Sequence, residues 1–252
     1  MRPWALLRCH SQCSVDKAWR SPYLSGNRHF RQSEFSMGLK AAILPVTPFQ
    51  QNCTLMWNDE NMRGAVSDPG GDLERIKAAA AEAGVTIEKI LLTHGHLDHA
   101  SAAGDLAREL GVPVEGPHED DLFLIEALPD QAAKYGFPPV GAFRPDRWLK
   151  DGDQVTFAGL TFDVRHCPGH TPGHVVFFHE PSRLAIVGDV LFQGSIGRTD
   201  FPRGDHGALV RSIRERLWPL GDDVTFVPGH GPLSTFGVER RTNPFVADEN
   251  FA

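Results

Sequence analysis

The sequence lacks the long apolar runs and the excess of positive charge that mark membrane and nucleic-acid-binding proteins. No apolar run reaches the roughly 18 residues that predict a transmembrane helix. The 25 Lys and Arg residues are outnumbered by 32 Asp and Glu residues, which gives a formal net charge of -7. We therefore expect no membrane span and no nucleic-acid partner.

Cysteine is also scarce. The four cysteines, at positions 9, 13, 53 and 167 of 252, are too few for a disulfide scaffold. Cys9 and Cys13 have no second pair at zinc-site spacing, so they do not predict a zinc site of their own. We expect free thiols in a reducing compartment, with Cys167 acting as a small packed hydrophobe. The lack of a secretory signal favours the cytoplasm, and an organelle stays open if residues 1–36 are a transit peptide.

Residues 1–36 differ in composition from residues 37–252. This extension holds six basic and two acidic residues, which leaves 19 basic and 30 acidic residues for 37–252. It has no apolar core of the kind that a secretory signal needs. Three interpretations stay open: a disordered tail, an organelle transit peptide, or a translation artefact upstream of a true start at Met37. We favour the artefact, because the first clear strand begins directly after Met37.

Apolar runs bounded by Gly, Pro and Asp predict strands, and Ala-, Glu- and Lys-rich stretches predict helices. Gly84 and Gly111 are expected to end helices, and Asp205 to cap one. The stretch 129–145, rich in Pro and Gly, is expected to be a surface loop or lid. The predicted strands are 39–47, 53–57, 64–67, 90–92, 155–157, 160–164, 175–178, 184–187 and 224–227, and the predicted helices 72–83, 100–110, 119–128 and 206–217.

The predicted strands fall into two groups, each with crossing helices. Short turns between the strands of 155–187 favour antiparallel pairing there. Two β-rich halves with helices predict an α+β sandwich in which two sheets face each other and helices lie outside.

The segment Thr93-His94-Gly95-His96-Leu97-Asp98-His99 places four potential metal ligands directly after a buried strand. His94 and His96 alternate along extended chain, so they face the same side and can hold one ion. Asp98 and His99 begin the next helix and turn toward a second ion. Imidazole and carboxylate ligands suit Zn²⁺, Mn²⁺ and Fe²⁺ alike, so the ligand types do not select the metal.

Three further ligand candidates each follow a strand or lie in a glycine-containing turn. His170 lies in Pro168-Gly169-His170-Thr171-Pro172-Gly173-His174, Asp189 follows Gly188, and His230 lies in Pro228-Gly229-His230-Gly231. Any one of these could be an ordinary turn. Together with the first segment they predict a metal site.

This ordered set resembles the metallo-β-lactamase superfamily over residues 39–235. The resemblance implies a four-layer αββα sandwich with the metals at one edge of the two sheets. It also implies that His94, His96 and His170 bind the first ion, that Asp98, His99 and His230 bind the second, and that Asp189 bridges both. An aspartate at 189 differs from the β-lactamases that place a cysteine there, which argues against that activity.

The strings ILLTHGHLDH, HCPGHTPGHVVFF, GDVLF, GRTDFPRGDH and PGHGPLST are similar to those of the short, single-domain branch of glyoxalase II. The resemblance implies hydrolysis of the thioester S-lactoylglutathione to lactate and glutathione, by a hydroxide that bridges two divalent ions. Zinc is the first expectation for these ions, with iron or manganese as alternatives. The chain stops too soon after His230 for the helical domain that binds glutathione in longer relatives, and Asp200 and Pro232 replace expected tyrosines.

The same resemblance suggests roles for residues around the site. Asp98 is expected to be catalytic by orienting the hydroxide, and Arg198 and Arg203 to attract the carboxylates of a small-molecule thioester. His166 and His174 are expected to support the ligands. His118, His179 and His206 are expected to be surface or capping residues.

Three other functions stay open: a persulfide dioxygenase with one iron, a lactonase or nuclease of the same fold, and a non-catalytic binding module. A persulfide dioxygenase would hold one iron per chain, whereas the hydrolase would hold two ions. The net charge of 37–252 disfavours a polyanionic substrate. A binding module would be expected to have a degenerate ligand set, and all seven ligands are present. We expect a monomer or a small homo-oligomer.

Overall fold

The structure is a computed structural model that describes residues 38–251. The extension 1–36 and its three interpretations therefore lie outside the described residues. Within 38–251 the chain forms two β-sheets that face each other, and no helix in that range is long and apolar enough to cross a membrane.

The first sheet has the order β1-β2-β3-β4-β5. Neighbouring strands from β1 to β3 pair antiparallel, and those from β3 to β5 pair parallel. Parallel neighbours need a crossover connection, so the segments between β3 and β4 and between β4 and β5 each return across the sheet. Helices fill both of these connections. The strands are β1 (Leu39–Val46), β2 (Gln51–Asn58), β3 (Arg63–Ser67), β4 (Thr86–Leu91) and β5 (Val114–Glu115).

The second sheet has the order β13-β12-β9-β8-β7-β6, and a separate hairpin is formed by β10 and β11. The pairs from β6 to β9 are antiparallel, as predicted, and β9 pairs parallel with β12. The strands are β6 (Gln154–Phe157), β7 (Leu160–His166), β8 (Val175–His179), β9 (Leu184–Gly188), β10 (Leu191–Phe192), β11 (Ser195–Ile196), β12 (Thr225–Pro228) and β13 (Ser234–Thr235).

Helices cover the outer faces of both sheets. The α-helices are α1 (Leu73–Ala83), α2 (Leu97–Ala100), α3 (Ala103–Leu110), α4 (Leu122–Glu126), α5 (Leu128–Tyr135), α6 (His206–Ser212) and α7 (Phe236–Thr242). Helix α6 continues as a π-helical stretch over Ile213–Leu217, and 3₁₀ turns form at Glu119–Asp121, Glu180–Ser182, Trp218–Leu220 and Asp248–Phe251.

Three hydrophobic clusters separate four layers, which confirms the predicted αββα sandwich. One cluster packs the first sheet against α1, α3 and α5, the second lies between the sheets, and the third packs the second sheet against α6 and α7. Strand β8 shows why both faces are apolar: Phe177 enters the central cluster, and its neighbours Val176 and Phe178 enter the outer one.

The predicted loop over 129–145 is partly wrong, because α5 occupies Leu128–Tyr135. Pro129 lies in the first turn of α5, where a backbone N–H has no partner within the helix and proline is tolerated. Leu128 and Ala132, four residues apart, bury one face of the helix. His179 occupies the N-cap position of the 3₁₀ turn Glu180–Ser182, but the expectation of a surface position is wrong, because its ring is buried beside Phe162, with centroids 4.9 Å apart.

Candidate metal centre

The candidate ligands meet where strands from both sheets end. His94 and His96 follow β4, His170 lies between β7 and β8, Asp189 follows β9, and His230 follows β12. Strands β9 and β12 are parallel neighbours, and Gly229 N donates to Gly188 O at 2.8 Å, which brings Asp189 and His230 side by side. The fold therefore collects side chains that are up to 136 residues apart in sequence at one edge of the sandwich.

Three histidines, His94, His96 and His170, form the first group, which we call site one. His96 Nδ1 lies 3.1 Å from His94 Nε2 and 2.9 Å from His170 Nε2. All three rings are largely buried, and burial lowers the pKa of each, that of His96 to about 3. The three rings are therefore neutral at neutral pH, as metal ligation requires.

The outer nitrogens of two of these rings fix the tautomer. His170 Nδ1 donates to Arg198 O at 2.7 Å. Thr93 Oγ1 donates to Asp68 Oδ2, so it is free to accept a hydrogen bond from His94 Nδ1 at 3.0 Å. A neutral ring that donates through Nδ1 has its lone pair on Nε2. The lone pairs of both rings therefore point toward His96, as they would in a shared cation site.

Asp98, His99 and His230 form the second group, site two. His230 Nε2 lies 3.1 Å and His99 Nε2 3.8 Å from Asp98 Oδ2. Burial acts to lower the pKa of both histidines, but Asp98 and Asp189 outweigh it and raise them. Burial likewise opposes the ionisation of Asp98, and the neighbouring histidines outweigh it, so its pKa is lowered. The ligand atoms of each group lie within 4.8 Å of one another.

Asp189 lies between the two groups. Its Oδ1 is 3.3 Å from His99 Nε2, and its Oδ2 is 3.5 Å from His170 Nε2 and 3.8 Å from His230 Nε2. Both His99 Nε2 and Asp189 Oδ1 are buried without a hydrogen-bond partner among residues 38–251, a costly state that a cation would relieve. The residues present therefore fit two divalent ions, and imidazole and carboxylate donors suit zinc, iron or manganese.

Asp68 contributes to this centre, although its place in Asp68-Pro69-Gly70-Gly71 indicates only a turn. Its buried carboxylate accepts from Thr93 N and Thr93 Oγ1, both at 2.7 Å, and from His99 Nδ1 at 3.1 Å. It thereby supports one ligand of each site, His94 through Thr93 and His99 directly. The sequence signal is its place directly after the predicted strand 64–67, and the structure adds that this strand lies beside β4.

His174 supports the centre in the way the sequence predicted. Its buried ring stacks on His94 with centroids 4.6 Å apart, and its Nε2 accepts the backbone N–H of Asp189 at 3.0 Å. Cys167 is buried, and burial raises the pKa of its thiol, as expected of a packed rather than reactive cysteine.

A further group of potential ligands, His118, Asp120 and His166, lies outside the two sites. His118 Nδ1 accepts from Asp120 N at 3.2 Å and caps the 3₁₀ turn. His166 Nε2 contacts Pro172 O at 2.9 Å in the loop that carries His170. The expected capping role of His118 is thus confirmed, and His166 braces that loop.

The two arginines lie on loops beside the centre. Arg198 makes a two-pronged ion pair with Asp200, with contacts of 2.9 and 2.6 Å, and its guanidinium lies over Phe201. The guanidinium of Arg203 lies 4.2 Å from the ring centre of Phe123. Of the contacts that the described residues show for these arginines, the one with a candidate ligand is made by the backbone oxygen of Arg198, so a substrate role for either side chain stays a prediction.

Aromatic rings border the histidines. Phe201 lies 4.9 Å from His96 and 5.8 Å from His170, between ring centroids, and Phe192 lies 6.3 Å from His230. Phe49, half exposed, accepts a hydrogen bond from His230 Nδ1 through its backbone oxygen at 3.2 Å. These rings give the polar centre an apolar border.

Residues 46–230 match the family model described as the Metallo-beta-lactamase superfamily. The hydroxyacylglutathione hydrolase GloC of Haemophilus influenzae is 50% identical over 205 residues, which cover 81% of this chain and 96% of that protein.

Two crystal structures share the fold. The BLEG-1 B3 metallo-beta-lactamase has a TM-score of 0.76 and 35% identity, covering 82% of this chain and 99% of its own. TTHA1623 in a di-iron-bound form has a TM-score of 0.73 and 38% identity, covering 81% of this chain and 99% of its own.

Proposed function

The chain belongs to the metallo-β-lactamase superfamily and is a metal-dependent hydrolase, and from that premise we propose that it hydrolyses S-lactoylglutathione to lactate and glutathione. The observation that carries this proposal is the complete set of seven ligand side chains, from His94 to His230, in two adjoining groups. The 50% identity to a hydroxyacylglutathione hydrolase over nearly all of that protein supports the thioester substrate. We further propose a cytoplasmic location and a small-molecule partner only.

Divalent ions held by these two groups would supply Lewis-acid activation of water and of the thioester carbonyl. We propose His94, His96 and His170 as ligands of one ion, Asp98, His99 and His230 as ligands of the other, and Asp189 as the carboxylate shared by both. Zinc is proposed first, and iron and manganese remain alternatives.

In this reaction a protein carboxylate orients the attacking water, and no protein group needs to protonate the leaving group. Asp98 stays ionised, since its pKa is lowered, and its partly exposed carboxylate can accept a hydrogen bond from the attacking water and orient it. The leaving thiolate needs no general acid, because the pKa of a free thiol is only about 8.5.

Substrate binding is assigned to the border of the centre. The ring of Phe201, packed against His96 and His170, can exclude water from the acyl group. Arg198 and Arg203 can attract the carboxylates of glutathione. The guanidinium of Arg198 is already paired with Asp200, so we expect Arg203 to contribute more.

The proposal is tested by comparing kcat/KM of the full-length, metal-loaded chain for S-lactoylglutathione, other glutathione thioesters, lactones, a β-lactam, and glutathione persulfide with oxygen. We expect glutathione thioesters to have the highest kcat/KM, with the lactoyl ester first. Oxygen consumption with the persulfide and no thioester turnover would contradict the proposal in favour of a dioxygenase. Turnover of lactones and of no thioester would contradict the thioester substrate and indicate a lactonase.

A further inference from the structure

We infer that Asp121 is a positioning residue that sets the spacing of the site-one histidines by joining the loop of His94 and His96 to the loop of His170. The inference rests on the proposed use of site one as a metal site, and it is independent of which thioester is hydrolysed. Asp121 ends the 3₁₀ turn Glu119–Asp121 and belongs to neither loop.

The contacts of Asp121 reach both loops. Its Oδ2 accepts from Gly95 N at 2.9 Å and from Thr171 Oγ1 at 2.8 Å, so one oxygen joins the two loops. Its Oδ1 accepts from Gly173 N at 2.6 Å. Gly95 separates His94 from His96, and Thr171 directly follows His170. The carboxylate therefore links the chain beside all three site-one ligands.

The carboxylate of Asp121 is buried at a cost in free energy, which indicates that its hydrogen bonds matter to the structure. Asp121 is fully buried, and burial raises the pKa of its carboxyl to about 6 although all three donors act to lower it. The three donors offset part of the cost of withdrawing this carboxylate from water. Here the compensating donors come from segments 26, 50 and 52 residues away, so the carboxylate stabilises tertiary structure rather than its own turn.

Neighbouring residues also connect the chain around the turn 119–121 to the loop of His170. His118 N donates to Gly173 O at 3.0 Å, and His166 Nε2 contacts Pro172 O. Gly173 leaves room for Asp121, since a Cβ at that position would lie 2.6 Å from Asp121 N and 2.7 Å from its carboxylate. The turn 119–121 thus packs against the loop of His170. The carboxylate of Asp121 also binds Gly95 N, which connects that turn to the loop of His94 and His96.

Site two depends on a different carboxylate. His99 is held by Asp68, and His230 by the backbone oxygen of Phe49. Among residues 38–251, the carboxylate of Asp121 accepts hydrogen bonds only from the two site-one loops, so its loss should weaken site one selectively. A merely structural role would weaken both sites together.

The test measures zinc affinity of the metal-free chain in two backgrounds, His230→Ala, which retains site one, and His96→Ala, which retains site two. Asp121→Asn places an amide N–H₂ against a donor and cannot accept all three hydrogen bonds. We expect it to weaken zinc binding at least about tenfold in the His230→Ala background and by less than about threefold in the His96→Ala background. Asp130→Asn, at an exposed carboxylate of α5, is the matched control and should change neither affinity.

If Asp121→Asn does not fold, Thr171→Val and Thr171→Ser test the same hydrogen bond from its donor side. Valine removes one donor and should weaken site one alone, and serine, which keeps the hydroxyl, should restore the affinity. Equal losses in both backgrounds, or no loss at site one, would overturn the inference. A chain that follows this pattern but hydrolyses no thioester would contradict the proposed function and leave the inference standing.

Discussion

Asp68 Oδ2 accepts a hydrogen bond from His99 Nδ1 at 3.1 Å, and this contact directs Nε2 of the ring toward Asp98 and Asp189. A ligand histidine is oriented by the partner of its other ring nitrogen, so the geometry of site two depends on a carboxylate that binds no ion itself. The same carboxylate holds Thr93, and through it His94.

Replacing Asp68 by alanine should therefore lower metal affinity, most at site two. We expect roughly a 10- to 100-fold loss of affinity there and a similar loss of turnover in limiting metal. Ion content after dialysis and turnover against added zinc measure both effects. Asp59→Ala, at an exposed carboxylate, is the control. Unchanged ion content in Asp68→Ala would show that His99 needs no such support.

Replacing His96 by alanine should remove the ion of site one. His96 Nδ1 is the atom that both His94 and His170 face, so its loss leaves two histidines and Asp189. We expect ion content to fall from about two to about one per chain and turnover to fall by roughly two orders of magnitude or more. His206→Ala, at an exposed histidine of α6, should change neither. Full turnover of His96→Ala would remove site one from the mechanism.

Gly229→Ala should damage the centre by overpacking. A Cβ at Gly229 would collide with Asp189 Oδ1 and lie 2.7 Å from His99 Cε1. We expect loss of bound metal and about 1–3 kcal/mol of destabilisation of the metal-free protein.

Gly231→Ala is the control that distinguishes a steric collision, expected at Gly229, from backbone strain alone. Gly231 has a φ of 77°, so alanine is strained there, but a Cβ would meet no atom of residues 38–251 within 4 Å. That variant should lose some stability yet retain its metal. Equal metal loss in both variants would contradict the assignment to a collision.

Arg203→Gln should raise KM for S-lactoylglutathione by roughly 5- to 10-fold and change kcat little, because an attraction made equally in ground and transition states affects binding alone. Steady-state kinetics of this variant against Arg211→Gln, at an exposed arginine of α6, measure the effect. A fall in kcat without a change in KM would contradict a binding role.

His179 should make stability depend on pH. Burial lowers the pKa of its ring to about 4, whereas an unfolded chain protonates histidine near about 6.5. The stability associated with the neutral ring is therefore complete above the unfolded pKa and is lost as pH falls toward 4. The stability advantage of the wild type over His179→Gln should shrink by roughly 3 kcal/mol between these limits, measured by urea unfolding. A difference that does not change with pH would show that the ring does not resist protonation.

The seven ligand candidates could be identified from the sequence because they are local signals. The segment from His94 to His99 follows an apolar strand, and His170, Asp189 and His230 each adjoin glycine. Asp68 and Asp121 could not be identified in this way. The role of Asp68 depends on β3 lying beside β4, and that of Asp121 on a turn that packs against two distant loops.

The layers of the fold were also predictable, because the strands of both sheets are apolar runs separated by turn residues. The short elements were not. Helix α5 contains Pro129 in its first turn, and this proline suggested a break. Helix α7 is only seven residues long, although Thr235 accepts from Val238 N as a helix cap should. Short helices depend on tertiary packing, which local sequence does not reveal.

The central claim is tested most directly by adding zinc, manganese or ferrous iron to the metal-free full-length chain and following S-lactoylglutathione hydrolysis against ions bound per chain. We predict that turnover is absent without metal and reaches its plateau at about two ions per chain. A plateau at one ion, or no hydrolysis with both sites filled, would contradict a thioester hydrolase that uses two metal ions.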